Sequence, residues 1–361
     1  MMESNVFKAF RLLGICFLIA FLAAAQPPSS LGASACAGCH PAEFATQSAS
    51  AHAHALARPA NHSLVRSFPF GKEFTRSQYR FRLDQSGSRI VFHTEGGGDA
   101  LDLPADWAFG AGRQAVTFLG RLGPDWYLEH FFSWYSETGS LEPTPGQFGL
   151  RSQSLNEAVG IRYPSIDPVI GAIKCMECHS TGTPLVGAFN EITPAEAGVR
   201  CERCHGPSSL HIAAAARGDK SAARAAVSNP SRLSSKALNQ FCGACHRAPE
   251  GSLEINWYKP WSVRYQPIYL ARSECFLRSQ GKLSCLTCHN PHENAKNDAP
   301  YYDARCVMCH DAAKHPAEEN GTCIGCHMPR VNAQLHLNFT NHWIGIYDKS
   351  NPLMPRGRGP L

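Results

Sequence analysis

The sequence predicts mainly short α-helices and loops wrapped around something other than their own side chains, together with a small β-rich subdomain. Three observations lead there. Fourteen of the sixteen cysteines fall into seven C-x-x-C pairs, and a histidine follows each pair at once. Six of those motifs crowd into the 153 residues from Cys175 to His327, and roughly 25 residues per motif are too few for an independent apolar core. The seventh motif, Cys36-Ala-Gly-Cys39-His40, stands apart, beyond a motif-free stretch in which apolar and polar residues alternate.

Residues 1–25 read as a signal peptide. Lys8 and Arg11 give a basic start, Leu12 to Ala25 an apolar run, and Ala23 to Ala25 offer small residues for cleavage before Gln26. That run is shorter than the roughly 20 residues that span a bilayer, and no segment of the mature chain reads as transmembrane. Residues 26–66 form the first motif-bearing segment. Residues 67–165 form the β-rich subdomain: Tyr79, Phe81 and Leu83 alternate with polar residues, and the Asp84 to Ser88 loop leads into Ile90 and Phe92. Val116 to Leu119 and Trp126 to Trp134 are aromatic and β-prone, with Gly96 to Gly98 and Thr144 to Gly146 as breakers. Residues 166–345 carry the other six motifs, with helices expected over Pro194 to Cys204 and over the alanine-rich Ser208 to Val227. Residues 346–361, rich in Pro, Gly and Arg, read as a disordered tail.

C-x-x-C-H is the attachment signature of c-type haem. Two thiols three positions apart lie on one side of a helical turn and each add to a porphyrin vinyl group, while the adjoining histidine becomes the proximal iron ligand. The attachment cysteines are therefore Cys36, Cys39, Cys175, Cys178, Cys201, Cys204, Cys242, Cys245, Cys285, Cys288, Cys306, Cys309, Cys323 and Cys326. The proximal histidines are His40, His179, His205, His246, His289, His310 and His327. Zinc knuckles and disulfides also use paired cysteines, but neither needs a histidine after every pair. Seven covalently bound haems would fill the interior and change the charge. The formal +5 of the full chain becomes about −3 once the leader is removed and seven ferric haems bring their propionates, so the basic composition does not point to nucleic acid.

Ten further histidines are available as second axial ligands: His52, His54, His62, His93, His130, His211, His292, His315, His336 and His342. His292 lies three residues after His289, so their Cα atoms are at most about 10 Å apart. Axial histidines on opposite faces of one iron need roughly 12 Å or more. His292 is thus excluded from the haem that His289 holds and, as a ligand, would serve a neighbour. Cys275 has no partner and reads as a buried structural thiol.

The sequence resembles the multihaem cytochromes of the cytochrome c-554 type with paired C-x-x-C-H motifs. The likeness rests on Ser50-Ala-His52, Thr144-Pro-Gly146 and the run from Gly198 through Cys201, Cys204 and His205 to His211. Asn229 to Leu233, Ser273 to Phe276, Cys288-His289-Asn-Pro-His292 and Cys326-His327-Met-Pro329, followed by His336 and His342, extend it. The resemblance implies that His52, His211, His292, His336 and His342 are distal iron ligands. A tryptophan usual before Ser50 is missing, and the nearby His54 leaves the ligand there ambiguous between two residues. It also implies an exported electron-transfer protein of the bacterial periplasm or cell-envelope exterior, in a respiratory or redox chain, without catalysis of its own. Its partners would be other cytochromes or a quinol-oxidising membrane complex. Two alternatives stand beside this: a nitrite, hydroxylamine or tetrathionate reductase with one open-coordinate haem, and a subunit of a cytochrome filament. The lack of a C-x-x-C-K motif weighs against the reductase.

Overall fold

The computed structural model describes residues 27–247, 255–311, 321–334 and 336–357. The leader at 1–25 and His315 fall outside them. Among the described residues no helix is long and apolar enough to cross a membrane.

A 3-10 turn at Ala33–Cys36, helix α1 (Pro41–Ser48) and the short strand β1 (Leu56–Ala57) carry the first motif toward the β-rich part. There, β2 (Glu73–Arg76), β3 (Tyr79–Ser86), β4 (Arg89–Gly96) and β5 (Asp99–Pro104) form a four-stranded antiparallel meander. A second sheet runs in the order β1, β6 (Trp107–Phe109), β7 (Ala115–Leu122), β8 (Trp126–Tyr135), β10 (Gly160–Pro164), with β9 (Ser140–Pro143) also paired to β8. Period-two alternation decides which face each strand buries. Tyr79, Phe81 and Leu83 from β3 and Ile90 and Phe92 from β4 meet Val116, Phe118, Phe131, Phe132 and Trp134 in one core. The β3–β4 hairpin turns at Gly87 and Ser88, since Ser86 already pairs with Arg89.

Beyond α2 (Leu155–Ala158) the chain is mostly short helices and short antiparallel ladders. Helix α3 (Ile173–His179) is followed by β11 (Ser180–Thr181), β12 (Leu185–Val186), β13 (Ile192–Thr193) and β14 (Glu196–Ala197). Helices α4 (Cys201–His205), α5 (Ser209–Ala216), α6 (Lys220–Ala225) and α7 (Ser235–His246) follow. Then come α8 (Gln266–Ala271), α9 (Glu274–Arg278), α10 (Cys285–Cys288), α11 (Ala299–Cys306) and α12 (Cys323–His327), and a hairpin of β15 (Arg330–Gln334) and β16 (Leu337–Thr340).

Three expectations need correction. Only Cys201–His205 of the Pro194 to Cys204 segment is helical, because β14 pairs with β11 and Gly198 turns the chain at φ 82°. A Cβ on Gly198 would lie 2.0 Å from the Ala53 carbonyl oxygen, which holds this turn against the first motif segment. The Ser208 to Val227 helix is two helices, broken at Gly218 and restarted by Asp219, whose carboxylate accepts from the Ala222 N–H. The tail is not disordered through 357: Asn341 donates to the Pro352 and Leu353 carbonyls, Arg356 pairs with Asp348 at 2.6 Å, and Leu353 and Met354 pack beside Trp343. Residues 358–361 lie outside the described ones.

Helices α9, α10, α11 and α12 bury none of their own residues. Helices that bury no face against protein are stable only if something else covers them.

Candidate functional site

Each motif takes up one helical turn. The His40, His289 and His310 amides donate to the carbonyls of Cys36, Cys285 and Cys306 at 2.9 to 3.0 Å, which sets both sulfurs on one side and the imidazole at the end. Local capping fixes where these turns begin. Ser234 accepts from the Ala237 N–H ahead of α7, Ser284 and Thr287 form a reciprocal box around α10, and Thr322 accepts from Gly325 N–H ahead of α12.

The motifs converge on one cavity of about 4030 Å³, several times the roughly 300–1,000 Å³ of an ordinary ligand pocket. The cysteines and histidine of the first six motifs line it; the seventh contributes the neighbouring Thr322, Ile324, Gly325 and Met328. Thirteen Lys and Arg side chains face it against seven Asp and Glu, which suits cofactors bearing carboxylates. Thiols of different motifs meet along its wall. Cys36 lies beside Cys201, Cys178 beside Cys245, Cys242 beside Cys285 and Cys306 beside Cys323. Cys204 lies beside Cys242 and Cys245, and Cys306 beside Cys288. All seven motifs are connected through these neighbours. Burial pushes the Cys175 and Cys204 thiols up to about 11, so they are poor thiolates.

Four histidine pairs cross the cavity, and each joins a motif histidine to one outside the motifs. The ring centres of His40 and His211 are 6.3 Å apart, those of His246 and His52 6.1 Å, those of His205 and His292 6.1 Å, and those of His289 and His342 6.2 Å. A metal between two imidazoles needs about 2 Å per metal–nitrogen bond and about 1.2 Å from each nitrogen to its ring centre, about 6.4 Å in all. At these four sites the residues present therefore fit haem iron in spacing.

Hydrogen bonding orients several of the cavity and motif histidines. Nδ1–H donates to a backbone carbonyl in His179 (Ala55), His205 (Ser228), His211 (Ala223), His327 (Gly345) and His342 (Thr340), at 2.8 to 2.9 Å. His52 does so more loosely, to Pro291 at 3.3 Å. Because the carbonyl only accepts, Nδ1 carries the proton and Nε2 keeps its lone pair for a metal. Burial lowers His179, His289 and His292, and takes His246 and His342 down to about 4, so these rings stay neutral as ligation requires.

The other candidates are placed elsewhere. His130 is buried in the β core, stacks on Phe92 at 4.3 Å and spends Nε2–H on the Pro104 carbonyl. His62 uses Nε2 on the Gly110 carbonyl, and His93 contacts Asp102 at 2.6 Å on the meander surface. His54 lies outside the cavity lining, whereas His52 is in it. His336, at φ 61°, turns toward Glu137 and Tyr135 and not toward a described motif histidine. No described imidazole faces His179 or His310 in the way the four pairs do; beside His179 the Phe109 ring stands edge-on at 5.1 Å. Cys275 is half-buried on α9 and lines the cavity. The signal missed in the sequence is the Nδ1 carbonyl partner, which comes from remote segments.

The family model for cytochrome c554 and c-prime matches residues 155–206, a span that holds the second and third motifs. The multiheme cytochrome MtrA of Shewanella baltica (strain OS185) is 24% identical over 191 residues, 46% of this chain and 55% of that protein. The chain thus matches about half the length of this curated relative. The crystal structure of the outer cell wall cytochrome OcwA is similar over 87% of this chain and 79% of that one, at 16% identity and a TM-score of 0.47. With its C-x-x-C-H turns gathered on one cavity and these sequence likenesses around them, the chain is similar to the multihaem cytochromes c.

Proposed function

We propose that the chain is an exported heptahaem cytochrome that passes electrons through closely packed, mostly bis-histidine haems in a respiratory or redox chain. The four histidine pairs at 6.1 to 6.3 Å carry this reading. Haem c supplies a one-electron ferric/ferrous couple when bound. The protein's part is to fix and neutralise the axial imidazoles, exclude water, and hold the sites close enough for hopping. The thiol contacts favour a route in which motif four, at His246, is the junction: motifs one and three lead to it, motif two branches from it, and motifs five, six and seven follow in order.

Partners of this reading are other cytochromes or a quinol-oxidising membrane complex, reached in the periplasm or at the cell exterior. A reductase with one open-coordinate haem is a second reading, favoured by the absence of a described imidazole opposite His179. Replacing His52 with Ala in the mature protein tests the ligand assignment. One low-spin ferric EPR signal is expected to convert to high spin, while His54→Ala leaves the spectrum unchanged. An unaltered His52→Ala spectrum would discard the His52–His246 pair.

A further inference from the structure

Two arginines on the cavity wall have no carboxylate partner among the described residues. Arg247 follows His246 directly, and Arg264 closes the 3-10 turn Pro260–Arg264. The Arg264 guanidinium carbon lies 4.1 Å from the Trp261 ring centre and 5.2 Å from that of Tyr265; the Arg247 carbon lies 5.0 Å from the same Tyr265 ring. All four residues line the cavity. Arg264 Nε is buried without a hydrogen-bond partner. Among the described residues neither arginine has a carboxylate within ion-pair distance.

Burial opposes the charge of Arg264, and the nearby Arg247 adds repulsion. Stacking on aromatic faces offsets only part of such a cost. A bridging anion removes the penalty of a buried, unpaired cation. Two planar forks, each within about 5 Å of the Tyr265 ring centre, offer the donor pattern that a carboxylate accepts.

We propose that Arg264 and Arg247 clamp a propionate carboxylate of the haem held by Cys242, Cys245 and His246, and so hold that haem's reduction potential up. This rests on the multihaem reading above. An unclamped propionate keeps its negative charge near the iron and favours the ferric state. A free oxyanion from solvent would have the same binding chemistry, and the test separates the two.

Potentiometric titration of the mature protein, followed by optical spectra and paired with intact mass, is the experiment. In Arg264→Gln the haem number is expected to stay the same. One component should shift about tenfold toward the oxidised form, about 59 mV lower for a one-electron couple. Arg264→Lys should shift it less. Arg247→Gln, whose exposed side chain contacts the fold only at the Tyr265 ring among the described contacts, should shift the same component in the same direction, including where Arg264→Gln does not mature. Unchanged potentials in the variants that mature would overturn the clamp. So would a wild-type potential that moves with added inorganic phosphate, the mark of a solvent anion. A protein of bare polypeptide mass would instead overturn the haem reading itself.

Discussion

His130 and His342 are both buried imidazoles, yet one belongs to the fold and the other to the cofactor cavity. The difference is which nitrogen meets a carbonyl: Nε2 of His130 at Pro104, Nδ1 of His342 at Thr340. The sequence showed seventeen histidines and the demand for ligands, but not this choice. The Pro291 carbonyl that orients His52 lies 239 positions away. Where distance along the chain was itself decisive, the sequence was legible: His292 sits too near His289 to share its iron, and its ring faces His205. His130 also fixes a pH dependence. Its folded pKa is lowered to about 4 by burial, against about 6.5 in the unfolded chain. Above about pH 6.5 both states are neutral there. As pH falls toward 4 only the unfolded state takes up the proton, so about 3 kcal/mol of stability is lost across that window. Denaturant melts from pH 7 to pH 4 check this: the loss should shrink in His130→Gln, and an identical loss in both proteins would contradict the assignment.

At the scale of elements, the β-rich part was readable because period-two alternation and aromatic content survive without knowledge of tertiary partners. The meander places its alternating residues into one core. The helices were less readable, since α9 to α12 bury no apolar stripe for a periodic pattern to report. Breaks at Gly198 and Gly218 answer to contacts and backbone signs that composition hides, and the tail is ordered by Asn341, a residue outside it. Gly198 is the sharpest case. Gly198→Ala combines a left-handed backbone with a Cβ 2.0 Å from the Ala53 oxygen, so it should cost about 3 kcal/mol or more. Thermal unfolding of the mature variant measures this; a melting temperature equal to wild type would mean that the turn is not held as described.

Over the whole molecule, the motifs gather on one cavity beside hydrophobic clusters of the chain itself. Paired histidines lie 53 to 194 positions apart in sequence, so a cofactor at each pair would close a long loop, and those at His40–His211 and His52–His246 would tie the N-terminal segment to the six-motif region. Closing such loops needs the cofactor to be present, which makes folding and haem attachment one process. The motif count was legible from sequence alone; the thiol contacts between motifs were not, because they bring together segments distant in the chain. The most direct measurement is the intact mass of the purified mature protein. The account predicts the polypeptide without residues 1–25 plus seven haems, and a mass with fewer haems, or with none, would contradict it.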